Sequence, residues 1–156
     1  MRKPKRKGRE PEVVEAFILE IGELRPSYLL SVNSHKYRET AFSEHMGIDI
    51  DAKCVFPEKL VGRTATITLA ARRDSLTPEA FKEDSDWIPN CIGALELTAE
   101  GGRFYTDVPH ESFGALATSL AQGLLRFVVL YGTPLKRGRT LCSSMQLEHS
   151  VNLEDY

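Results

Sequence analysis

Alternation of apolar and polar residues is the strongest pattern in this chain. In "GIDIDAKCVFP", Ile48, Ile50, Ala52, Cys54 and Phe56 share one parity and Asp49, Asp51 and Lys53 the other. That is the two-residue period of a half-buried strand, and Pro57 ends it. "GRTATITLAARRD" repeats the pattern, with Ala65, Ile67, Leu69 and Ala71 opposed to Thr64, Thr66 and Thr68. Upstream, "EVVEAFILEIGEL" and "PSYLLSVNS" predict a strand pair over 12–21 and 26–34, broken at Gly22. The polar stretch from Asn33 to Ser43 reads as a loop or short irregular edge.

Further along, "CIGALELTAEGGRFYTDVP" predicts strand, turn at Gly101–Gly102, strand. Pro109 suits the first helical position, and Phe113, Leu116, Ala117, Leu120 and Leu124 follow at the spacing of an amphipathic helix, with Gly123 as its stop. "LLRFVVLYG" and "RTLCSSMQLE" return to strands across the basic connection "TPLKRGR". Residues 74–90, acidic and carrying Pro78 and Pro89, predict an excursion with a single helical turn, pinned by Trp87.

About eight strands and one helix define a mainly β protein. The simplest architecture is a two-layer antiparallel β-sandwich with one packed amphipathic helix. The alternative is an α+β open sheet with the helix across one face, the strand–helix–strand unit at 103–131 forming a right-handed crossover.

A chain of 156 residues suits one domain and can bury about 70% of its unfolded surface, enough for a core without disulfides or metal. Charge changes the picture more. Arg2, Lys3, Lys5, Arg6, Lys7 and Arg9 are six of the 20 basic residues, which leaves 14 basic against 22 acidic beyond position 9, a balance of −8. Residues 1–11 therefore read as a flexible basic arm on an acidic single domain, 12–156. With no aromatic residue among them, those six cations would follow a phosphate backbone or an acidic protein surface with little sequence preference.

The candidate chemistry centres on "SEHMGIDIDAKC". Asp49 and Asp51, two apart on a strand, have Cα atoms roughly 6.5–7 Å from each other on one face. His45 shares their parity if the strand runs back through Gly47. Such ligands suit magnesium or manganese, or zinc with the histidine, and define the alternative of a metal-assisted hydrolase or isomerase with His35 or His110 brought near. The same letters also describe the hydrated face of a strand that buries Ile48, Ile50 and Cys54.

Other motifs fail on spacing. "PHESFG" lacks the second histidine of a zinc helix and the first glycine of a nucleophile elbow. "LVGRTAT" and "YGTPLKRG" lack the spacing of a phosphate loop, and "EDSDWIPN" lacks the turn glycine of a calcium loop. Cys54, Cys91 and Cys142 are too widely spaced for a zinc knuckle and, being odd in number, argue against a disulfide framework. "MRKPKRKGRE" has no apolar run behind it, and Phe113 to Tyr131 is interrupted by Gln122 and Arg126, so neither a secretory signal nor a membrane span is expected.

These observations lead to the expectation of a cytoplasmic, non-enzymatic binding or assembly protein that needs no cofactor. Its partner would be another protein or a second copy, and its arm would contact nucleic acid or an acidic partner. A ligand cavity lined by Phe17, Tyr28, Trp87 and Tyr105 is a further possibility, although such aromatics more often build a core.

Overall fold

The computed structural model describes residues 13–32, 42–72 and 91–156. The basic arm, His35, Trp87 and the acidic excursion lie outside those residues. Within them the alternating segments form β1 (Glu15–Val32), β2 (Phe42–Phe56), β3 (Thr64–Arg72), β4 (Gly93–Thr98), β5 (Gly101–Pro109), β6 (Phe127–Gly132) and β7 (Arg139–Glu148). One helix, α1 (His110–Ala121), joins β5 to β6.

The seven strands close into a barrel in the order β1-β2-β3-β5-β4-β7-β6, with β6 returning to β1. This replaces the expected sandwich and open sheet. The same inward–outward alternation serves any of these layouts, and pairing of Glu15–Glu20 with Gly132–Phe127 is what makes this sheet a barrel. β3 and β5 run parallel, and every other neighbouring pair is antiparallel. β5 and β6 are not neighbours, so no crossover joins them in the sheet.

The two upstream strands expected around Gly22 are one 18-residue strand, which accounts for seven strands rather than eight. Ile21 pairs with Ala52 and Leu24 with Ile50, so Gly22 and Glu23 together oppose Asp51. Gly22 thus marks a β-bulge, where a strand bends and twists without ending.

Inside the barrel, the parity read from β2 and β3 holds: Ile48, Ile50, Ala52, Cys54, Ala65, Ile67 and Leu69 are all buried. Phe17, Leu19, Leu95, Leu97, Phe104, Val128 and Leu130 complete the interior. Each large one among them, Val, Leu, Ile or Phe, contributes roughly 1.5–3 kcal/mol on leaving water. Ile18 and Val129, of opposite parity on β1 and β6, are also fully buried and pair with one another. Phe56 leaves the inward row of β2 because the register shifts between Ile18 and Leu19. Its ring lies 6.1 Å from that of Tyr156, which also meets Tyr131 at 6.4 Å.

Helix α1 packs Phe113 and Leu120 into the same hydrophobic cluster as the strands. Pro109 is its N-cap, one position earlier than expected. Its stop is as expected: Gly123 takes φ 70°, Gly123 N donates to Leu120 O and Leu124 N to Ser119 O, both at 3.0 Å. Those two bonds form a Schellman cap, which needs the left-handed backbone glycine tolerates. The expected turn at Gly101–Gly102 falls instead at Ala99–Glu100, with both glycines inside β5. No described helix is long and apolar enough to cross a membrane.

Candidate functional site: a ribbon that leaves the barrel

β6 accompanies β1 only as far as Glu20, with one further bond from Ile21 N to Arg126 O, and β3 accompanies β2 only from Gly47 to Lys53. Beyond those points β1 and β2 continue as a two-stranded antiparallel ribbon through Tyr28–Met46, Leu30–Glu44 and Val32–Phe42. Among the described residues, the edge of β1 beyond the bulge pairs with no third strand.

The ribbon's sequence continues the barrel's own pattern. Leu24 opposes Ile50 and Pro26 opposes Ile48, and two-residue alternation carries that inward face on to Tyr28, Met46, Leu30, Val32 and Phe42, with Glu44 opposite Leu30 as its one charge. Ile48 and Ile50 are buried and Leu24 is half-buried, whereas from Pro26 onward this face of β1 is exposed. Tyr28, Leu29, Leu30, Val32 and Phe42 are between 56% and 75% exposed. Isolated two-stranded ribbons are marginal in water, and contiguous apolar patches of several hundred Å² mark interaction sites.

At the root, Arg25 grips Asp51 with both guanidinium nitrogens, Nη1 on Oδ2 and Nη2 on Oδ1, the latter at 2.8 Å. The Arg25 hydrogen bond holds the Asp51 carboxyl below its ordinary value, and Asp51 in turn raises the Arg25 guanidinium. Asp49 accepts from Thr68 Oγ1 at 2.7 Å. A shallow concavity of about 600 Å³ lies beside this pair, bounded by Glu20, Asp51, Lys53, Thr64, Thr66 and Gly102.

The strand does run back through Gly47, so His45, Asp49 and Asp51 share a parity as read from sequence. His45, however, is exposed on the ribbon opposite Leu29, four residues and roughly 13 Å along the strand from Asp49. The three are therefore in line rather than converging, with Asp51 engaged by an arginine. Among the described residues no group of three or more His, Cys, Asp or Glu is placed to hold a metal ion. His110 opens α1 with its Nε2 buried and without a hydrogen-bond partner among the described residues.

Of the aromatics considered for a cavity, Phe17 is fully buried in the core while Tyr28 and Tyr105 are more than half exposed. Cys54 and Cys142 are buried thiols, Cys142 being pushed up to about 11 by burial, and Cys91 is half-buried. The six cations of residues 2–9 lie outside the described residues.

Sequence reading passed over the ribbon because "YLLSV" looks the same whether a wall covers it or not. The one signal available is apolar residues on both parities, at Leu29 and Leu30, with no Gly, Asn or Asp between Gly22 and Val32. No protein-family model, curated protein or solved structure matches this chain.

Proposed function

We propose that this is a non-enzymatic assembly protein of the cytoplasm whose β1–β2 ribbon docks on the ribbon of a second copy, with the basic segment 1–11 as an accessory contact to nucleic acid. The observation that carries this reading is the ribbon itself, an apolar face continuous with the core yet more than half exposed, on a strand whose edge meets no third strand among the described residues. Tyr28, Leu30, Val32 and Phe42 on that face, exposing on the order of 100 Å² each, give on the order of 400 Å² of surface, about half of the ~800 Å² per partner in a standard interface.

A second copy fits because antiparallel pairing of one edge with itself is self-complementary about a two-fold axis. Pairing through β1 would make the ribbons a four-stranded sheet, the size at which such a sheet becomes stable.

Sedimentation equilibrium of the full chain tests it. The wild-type chain is expected to dimerise, and Leu29→Lys with Leu30→Lys to be monomeric with an unchanged far-UV spectrum. A wild-type chain that stays monomeric into the hundred-micromolar range would overturn self-association and leave the ribbon to a protein of different sequence.

A further inference from the structure

Across β6, β1 and β2 the register puts two aromatic rings on the outer face of the barrel. Tyr131 pairs with Ala16 and Phe56 with Ile18, and Ala16 and Ile18, two residues apart, share that face. The chain beyond β7 brings a third ring. Glu154 N donates to the Asn152 side chain at 3.3 Å, opening a short helical turn over Leu153–Asp155, and Tyr156 follows. The Tyr156 ring lies 6.1 Å from Phe56 and 6.4 Å from Tyr131, with planes tilted by 50° and 33°.

A cavity of about 630 Å³ is lined by these three rings together with Glu15, Lys59 and Asp155. Ala16, on the middle strand, contributes only a methyl group to it. Every residue that lines the cavity is among those described.

Charge here is negative on balance, Glu15 and Asp155 against Lys59. The Tyr156 phenol is held above its ordinary value first by a hydrogen bond to Tyr131, then by burial, and also by the nearby carboxylates of Glu148 and Asp155. Glu15 Oε2 is buried and has no hydrogen-bond partner among the described residues, and Lys59 makes no ion pair among them. A carboxylate oxygen out of water with nothing opposite it costs free energy, and buried charges are normally paired.

Few ligands suit such a place. An anion would be repelled by Glu15 and Asp155. A flat base between two rings needs parallel planes roughly 7–8 Å apart, twice the contact distance of carbon, and these rings are closer and tilted. A neutral apolar group would leave Glu15 uncompensated. A weakly hydrated cation meets both demands. It is attracted to ring faces within about 6 Å of their centroids, a range that two rings 6.1 or 6.4 Å apart can share, and it offsets the carboxylate.

We propose that this cavity binds an alkylated ammonium group, with Phe56, Tyr131 and Tyr156 as its wall and Glu15 as its counter-charge. Neither the ribbon nor residues 1–11 take part. The same head group is carried by free amines such as choline and by methylated lysine side chains.

The test is ligand-observed NMR of choline with the full chain, since methyl protons over ring faces move upfield. Choline is expected to bind with a dissociation constant on the order of 1 mM, and its uncharged isostere with carbon in place of nitrogen about tenfold more weakly. Tyr131→Leu and Tyr156→Leu keep an apolar wall without the ring faces, and each should weaken choline about fivefold while leaving the isostere nearly unchanged. Glu15→Gln keeps the shape without the charge and should do the same, whereas Lys59→Gln should tighten choline about twofold. If a tyrosine variant fails to fold by its far-UV spectrum, the two charge variants still decide the matter.

Equal binding of choline and the isostere would overturn the cation. No binding of either at tens of millimolar would overturn the site, and choline binding untouched by Glu15→Gln or by a folded Tyr156→Leu would overturn its placement. A dimethyllysine or trimethyllysine peptide binding about tenfold more tightly than choline would assign the group to a protein side chain, and equal or weaker binding to a free amine. Both results sustain the alkylated ammonium.

Discussion

The barrel and the ribbon are built from the same two strands, and the contrast between their halves is instructive. Over Phe17–Leu19 and Ile48–Cys54, β1 and β2 have neighbours on both edges and their inward side chains are buried. Over Tyr28–Val32 and Phe42–Met46 the strands keep alternating and keep pairing with each other, and no third described strand joins them. Apolar alternation runs through both halves, interrupted on the ribbon's inward face by Glu44. What differs is whether a third and fourth strand stand opposite, so an apolar side chain that stabilises the fold in one half is free to bind something in the other.

The largest break expected in this comparison comes from truncation. Phe17→Ala, in the closed half, is expected to cost about 3–5 kcal/mol in urea unfolding at any protein concentration. Leu30→Ala, in the open half, should lie within about 0.5 kcal/mol of wild type when dilute, with a deficit that grows with concentration as wild type dimerises. Equal costs at low concentration would mean that the ribbon is covered within one chain.

A smaller effect is expected at the helix stop. Gly123→Ala puts a Cβ on a residue at φ 70° and should cost about 1–2 kcal/mol, read as a fall in melting temperature of a few degrees.

Thiol labelling sharpens the same inside–outside contrast. At pH 8 the folded chain should react at Cys91 and spare Cys54 and Cys142, because burial raises both thiols and the thiolate is the reacting species. Cys142 should gain reactivity only as pH approaches about 11. Rapid labelling of all three would show an interior more open than the barrel implies.

At the root of the ribbon the expected effects are the slightest. Asp51 titrates lower in the folded chain than its ordinary 3.8, so its pairing stabilises above that pH and is lost as pH falls through the lower folded value. Asp51→Asn should therefore remove a small acid-range slope from the stability profile, with a modest cost present at neutral pH that vanishes at acid pH where Asp51 is protonated. Zinc, manganese or magnesium should leave the melting temperature of wild type unmoved. A shift of several degrees that His45→Ala abolishes would instead favour metal binding by His45, Asp49 and Asp51.

Much of the barrel could be read from residues alone, because alternation is a local property. Ile48, Ile50, Ala52 and Cys54 face inward for the reason that their neighbours Asp49, Asp51 and Lys53 face out, and Gly123 ends α1 through a backbone angle set within a single turn. Gly22 shows the limit of that reading. Glycine after an apolar run suggests a break, yet whether it becomes a turn or a bulge depends on the partner strand, here Asp51, almost thirty residues away.

The candidate site was less legible for the same reason. Lys136 and Arg139 can be seen in a basic connection, but their meeting with Val13 around one concavity arises only when β7 folds back on β6. The sequence by itself determined which residues extend, which faces are apolar and where the charge lies. Only the tertiary structure decided that the sheet closes, because closure joins Glu15 to Gly132 across more than a hundred residues. It alone decided, too, that Tyr28 to Val32 outrun the wall, since burial depends on the strands standing opposite.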